Sequence, residues 1–166
     1  MSAGTGPVVV AFDGSAAARQ AVSDAARLFS GRRLVVLTVW EPGLAYAGVV
    51  GSPDVSMPQL VDPAVALELD DDLRQNAERV AGEGAELASS AGLHAEPLAV
   101  SDEGGVARTI LAAAAERQAA AIVVGSRGLT GLRARLEGST SSTVLKHASC
   151  PVLVVHEADD HPGRGH

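Results

Sequence analysis

The sequence predicts an α/β fold, a single-domain, doubly wound, five-stranded parallel sheet in the order 3-2-1-4-5 with helices on both faces. Three observations carry that reading. Five short apolar runs alternate with segments of helical periodicity, the pattern of strands joined by helical crossovers. A length of 166 residues suits one domain with a sizeable core. Aromatic residues make up 2% of the chain against 46% hydrophobic, so the core must be built from Val, Leu, Ile and Ala, the mixture of buried parallel strands under helices.

The first strand is Val8 to Phe12, a short continuous apolar run rich in β-branched valine and ended by Asp13-Gly14. From Ser15, a fitting N-cap, the apolar positions Ala18, Ala21, Val22, Ala25, Ala26 and Phe29 recur at helical spacing, with Gly31 just past the end. Leu34 to Trp40 is the second strand, stopped by Glu41-Pro42. Residues 41–62, "EPGLAYAGVVGSPDVSMPQLVD", are too long and too rich in Gly, Pro and Ser for an ordinary connection and read as a mobile loop, either a flap over a site or a disordered insertion. Asp62 and Pro63, as N-cap and first helical residue, open a long helix with its predicted apolar face on Ala66, Leu69, Leu73, Ala77, Val80, Gly84 and Leu87. The acidic run at residues 70–72 within it reads as a solvated face, because consecutive helical residues point in different directions. The third strand, residues 94–100, contains Pro97, which lacks the N–H a central strand must donate and so places this strand at a sheet edge. A helix through Val106, Ile110, Ala113 and Ala114 to Arg117 precedes the fourth strand, Ala121 to Val124. A short helix through Val144, Leu145 and Ala148 leads to the fifth strand, Pro151 to Val155. The domain spans 7–157; residues 1–6 and the tail 158–166 read as disordered.

In a doubly wound sheet the ligand crevice opens at the carboxyl ends of the strands where the chain order reverses. With the third strand at one edge, the reversal lies between the first and fourth strands. The loops that meet there are "FDGS" and "GSRGLTG".

Charge narrows what that crevice can take. The net charge of −7 argues against a nucleic-acid surface, which needs clustered Lys and Arg. Residues 121–149 alone carry +3, from Arg127, Arg133, Arg135 and Lys146 against Glu137, and a small basic island in an acidic chain fits a small anion. A single cysteine, Cys150, rules out an internal disulfide framework or a cysteine metal cluster and makes the cytoplasm the expected compartment. No metal site is expected on side chains, and no membrane-spanning or targeting segment is read in the chain.

Within "VVGSRGLTGLRARLEGSTSSTVL", Gly125 and Gly128 permit positive φ and close approach of backbone to a ligand. Gly138 precedes five consecutive hydroxyl residues that start a helix, where unpaired amides and the helix dipole favour phosphate oxygens. The stretch therefore reads as a phosphate cradle. It is not a Walker loop, because no lysine follows Gly138. Nor is it a dinucleotide fingerprint, since the turn after the first strand is "DGSAAA". A serine-glycine-glycine pyrophosphatase loop is absent there too.

The spacing Gly125-x2-Gly128-x9-Gly138-Ser139 resembles the ATP-binding signature of the universal stress protein family, whose fold is Rossmann-like and akin to the adenine nucleotide alpha hydrolases. The strand ends "FDGS" and "TVWEP" and the closing "HASCPVLVV" extend the resemblance over nearly the whole chain. It implies that Asp13 and Gly14 lie beside the nucleoside and that the backbone of Val39 meets adenine. By the same resemblance the backbone around Val124, Gly125 and Gly128 runs along ribose and phosphate, while Gly138, Ser139 and Thr140 receive the phosphates; Arg127 is read from its charge as a binding residue that offsets them. It further implies ATP with Mg2+ or Mn2+ held mainly by phosphates and water, and a homodimer formed along the fifth strand, residues 152–155. That strand is an apolar sheet edge, which invites pairing with another chain.

Each residue also has a plainer role open to it: Asp13 as a helix cap, Gly125 as a turn, the hydroxyl run as an over-furnished helix start. The function that follows is an ATP-binding regulatory protein of the stress response. Two alternatives stand beside it, a slow ATPase or nucleotidyl transferase with Asp13 as the sole candidate base, and a dimeric interaction module that binds no nucleotide.

Overall fold

A computed structural model describes residues 5–43, 63–102, 104–126 and 139–156. Its elements alternate as expected: β1 (Val8–Ala11), α1 (Ala16–Leu28), β2 (Leu34–Trp40), α2 (Pro63–Ser90), β3 (Ala95–Ser101), α3 (Val106–Glu116), β4 (Ala121–Gly125), α4 (Ser139–His147) and β5 (Val152–Val155). The sheet order is β3-β2-β1-β4-β5, with each neighbouring pair parallel. Val10 of the central strand lies opposite Val36 on one side and Val123 on the other. Phe12, just past β1, continues the ladder by donating its N–H to the Leu37 carbonyl at 2.8 Å.

The pleat sorts the core into two layers. Val8, Val10, Phe12, Leu34 and Val36 face α1 and α2, where Ala18, Ala21, Val22, Ala25, Ala85 and Ala88 meet them. Val9, Ala11, Val35, Leu37, Ile122 and Val124 face the other way, onto Ile110, Ala113 and Ala114 of α3 and Val144 of α4. Both faces of β1 are fully enclosed, as a parallel sheet requires. Alanine on the helices lets them approach the sheet closely, which is how a chain with so few aromatic residues packs its interior.

α1 starts where Ser15 Oγ accepts the Ala18 N–H at 3.1 Å, and beyond its end Gly31 takes φ +82°. Pro63 is the first residue of α2, while Asp62 lies outside the described residues. The expected apolar face of α2 holds at Ala66 and from Ala77 onward, but Leu69 is 43% exposed and leaves the core. The reason is length. A helix of 28 residues is about 42 Å long, whereas the seven-residue β2 spans about 23 Å, so the first turns of α2 overhang the sheet. Val65 and Leu67 are exposed there as well.

The two sheet edges differ in chemistry. On β3, Glu96 and Pro97 are exposed, and Glu96 pairs with Arg33 at 3.2 Å; proline and charge both discourage further pairing. β5 carries only Val152, Leu153, Val154 and Val155, the first three partly exposed.

Candidate functional site

Because all five strands are parallel, their carboxyl ends share one side of the sheet, and the reversal of order falls between β1 and β4. Asp13 and Gly14 leave β1 there. Asp13 is partly exposed, and its Oδ1 accepts the Ser15 N–H at 3.0 Å, so the carboxylate shapes the turn into α1. Gly14 has φ +79°, a conformation that favours glycine over any residue with a Cβ, and its carbonyl accepts from Arg19 Nε at 3.3 Å. Beneath them Thr38 Oγ1 donates to the Phe12 carbonyl at 2.8 Å, a buried bond that locks the ends of β1 and β2 together.

β4 reaches the same side with Val124 fully buried and Gly125 at its end. Gly125 does not use the positive φ that glycine permits; it is extended within the strand. What glycine provides here is space: a Cβ would stand 3.1 Å from Ala17 Cβ and 3.2 Å from the Ala17 carbonyl carbon. β4 thus passes directly under the first turn of α1.

The hydroxyl run has a structural member that its sequence position does not distinguish. Ser141 is 8% exposed, and its Oγ donates to the Gly125 carbonyl at 2.8 Å. That bond ties the first turn of α4 to the end of β4. Ser139 and Thr140 open the helix beside it, so the amides that lack partners within α4 belong to this end. Arg127, Gly128 and Gly138 lie outside the described residues. Val39, near the end of β2, packs its side chain on the α3 and α4 face, and Trp40 is the last residue of that strand.

On the β2 side of the site two aspartates act on the chain. Trp40 offers its carbonyl to the Asp102 N–H at 2.7 Å. Asp102 Oδ1 in turn accepts from the Gly104 and Gly105 amides at 3.0 and 2.6 Å and from Thr109 Oγ1 at 3.1 Å. Partial burial pulls the Asp102 carboxyl upward, but these donors outweigh it and hold it below the usual carboxylate range. Asp70 Oδ1 accepts the Gly43 N–H at 2.8 Å, so one member of the acidic run read as solvated has a specific partner. Its neighbour Asp71 pairs with Arg74 at 2.6 Å on the exposed face.

Cys150 is half-buried against the α3 and α4 layer, and burial pushes its thiol up, away from a reactive thiolate. Among the described residues no group of three or more His, Cys, Asp or Glu side chains is arranged to hold a metal ion, and no helix is long and apolar enough to cross a membrane.

Comparison with known proteins is consistent across sequence and fold. The chain is 30% identical over 159 residues to universal stress protein YxiE of Bacillus subtilis, covering 89% of this chain and 97% of the relative. A universal stress protein family structure from Burkholderia pseudomallei superposes with a TM-score of 0.63 at 28% identity, over 93% of this chain and 97% of the other. A family protein from Arabidopsis thaliana, solved with AMP bound, shares the fold with a TM-score of 0.61 at 20% identity, over 96% and 97% of the two chains. The model of the universal stress protein family matches residues 4–156. The chain belongs to the universal stress protein family.

Proposed function

We propose that this chain binds ATP at the carboxyl ends of β1, β2 and β4, and that occupancy of the site alters a surface read by a regulatory partner. The bond from Ser141 Oγ to the Gly125 carbonyl is the observation that carries the reading. It holds the start of α4, with its partner-seeking amides and positive dipole end, beside the end of β4. Support also comes from the spacing of Gly125, Gly128 and Gly138 with Ser139 in the sequence, and from AMP in the Arabidopsis relative.

In this reading Asp13 and Gly14 flank the nucleoside and the Val39 backbone meets adenine. Val124, Gly125, Arg127 and Gly128 follow ribose and phosphate, and Gly138, Ser139 and Thr140 take the phosphate oxygens. Mg2+ or Mn2+ would sit on phosphate oxygens and water. A regulatory role requires that the nucleotide bind one conformation of the protein more tightly than another. The same proposal includes a homodimer along β5, whose apolar edge lacks the proline and charge that guard β3.

Calorimetric titration with ATP and Mg2+ tests the site. The wild type is expected to bind with micromolar Kd, and a Gly128→Ala/Gly138→Ala variant with unchanged circular dichroism to bind at least about tenfold more weakly. A folded double variant that binds like the wild type overturns the assignment. Turnover abolished by Asp13→Asn would move the function from binding to hydrolysis.

A further inference from the structure

Asp70 lies far from the glycine-rich stretch in sequence, yet it contacts the chain that leaves the proposed adenine side of the crevice. Val39 and Trp40 end β2, and Glu41, Pro42 and Gly43 follow. This short stretch is gripped twice. At its start the Trp40 carbonyl accepts the Asp102 N–H at 2.7 Å, from a residue that is itself fixed by Gly104, Gly105 and Thr109. At its far end the Gly43 N–H donates to Asp70 Oδ1 at 2.8 Å. Gly43 has φ +77°, so the backbone here is turned into a conformation that favours glycine.

We infer that Asp70 is a positioning residue for the nucleotide site: by holding Gly43 it fixes the course of the chain just beyond Val39 and Trp40. The inference rests on the ATP-binding reading above. Asp70 stands on the second turn of α2, in the part of the helix that overhangs the sheet, where Val65, Leu67 and Leu69 are exposed rather than packed. A helix end that buries Ala66 but leaves Val65, Leu67 and Leu69 exposed has a use if it brings a carboxylate over the carboxyl ends of the strands. The bond is made to a carboxylate oxygen, and hydrogen bonds of that kind are stronger than neutral ones. Asparagine retains an oxygen able to accept the same N–H, whereas alanine does not. Asp72, two residues on and exposed, provides a control of equal charge on the same helix.

The experiment compares Asp70→Ala, Asp70→Asn and Asp72→Ala with the wild type in two measurements: titration with ATP and Mg2+, and acrylamide quenching of Trp40, the single tryptophan, without nucleotide. Asp70→Ala is expected to bind ATP about tenfold more weakly and to quench more readily, while Asp70→Asn stays within about twofold of the wild type and Asp72→Ala is unchanged. A merely structural loss of α2 would not be rescued by asparagine in both measurements together. If the wild type binds ATP and Asp70→Ala binds it equally, or if Asp70→Asn is as weak as Asp70→Ala, the positioning role is overturned and the nucleotide site stands. If the wild type itself fails to bind, the proposed function falls and this role falls with it.

Discussion

Gly82 and Gly84 lie two residues apart in α2, and on helix propensity alone each should gain about 1 kcal/mol when replaced by alanine. The structure separates them. A Cβ on Gly82 meets nothing within 4 Å, whereas one on Gly84 would stand 2.7 Å from Val36 Cγ1 and 2.9 and 3.0 Å from Phe12 Cδ1 and Cγ. Val36 and Phe12 are both fully buried, one on a central strand and one at the end of β1, so neither can swing aside. Overpacking of this kind costs about 1–3 kcal/mol. The propensity gain is common to both substitutions and cancels in their difference, leaving Gly84→Ala about 1–3 kcal/mol less stable than Gly82→Ala. For a chain of this size each kcal/mol moves Tm by about 2–4 °C. Urea unfolding of the two variants and the wild type reads the difference directly. Gly82→Ala should lie above the wild type. Equal stabilisation by both substitutions would refute the argument that α2 is seated on Phe12 and Val36 through the absence of a side chain.

Three further outcomes are expected. Ser141→Ala removes a buried donor from the Gly125 carbonyl and should cost about 1–3 kcal/mol, read as a lowered Tm; an unchanged Tm would show that the α4 start is held by other contacts. Asp102 has its carboxyl held below the ordinary carboxylate range, so its contribution to stability is present above the unfolded-state pKa and is lost as pH falls through the folded one. Stability measured from pH 5 down to pH 2 should therefore fall less steeply for Asp102→Asn than for the wild type in about that window, and parallel curves would deny Asp102 the role. In sedimentation equilibrium the 16.8 kDa chain should run at twice its mass, and a monomer at tens of micromolar would remove the β5 pairing from the proposal.

What was legible in the sequence is what repeats. The β-branched runs, the helical spacing of alanines and the lone Pro97 together gave the five strands, their order and the edge position of β3, because burial on both faces of a parallel sheet imposes a pattern on every residue of a strand. Ser15 and Gly31 were readable for the same reason, as caps are local chemistry. Leu69 was misplaced because periodicity says which face of a helix is apolar but not where the sheet beneath it stops. At Gly125 conformational freedom and close approach leave the same letter in the chain, and only the structure shows that the close neighbour is Ala17.

The contacts that shape the candidate site are of a different kind. The Ser141 side chain on the Gly125 carbonyl, the Asp70 side chain on the Gly43 N–H and the Asp102 side chain on the Gly104 and Gly105 amides each hold a main-chain group. A main-chain N–H or carbonyl has no letter of its own, so one partner of every such pair is invisible in sequence, and the other looks like an ordinary surface serine or aspartate. In a sheet whose ligand end is made of strand termini and helix starts, such pairs are also where positioning has to come from, because the core layers stop short of it. Ser141 and Asp70 then have a common logic: a side chain is spent on holding backbone in place at the rim, so that backbone groups can meet the ligand. That division of labour predicts that substitutions at Ser141 and Asp70 weaken nucleotide binding without either side chain touching the nucleotide, and that the two effects add, since the residues serve opposite sides of the crevice and share no partner.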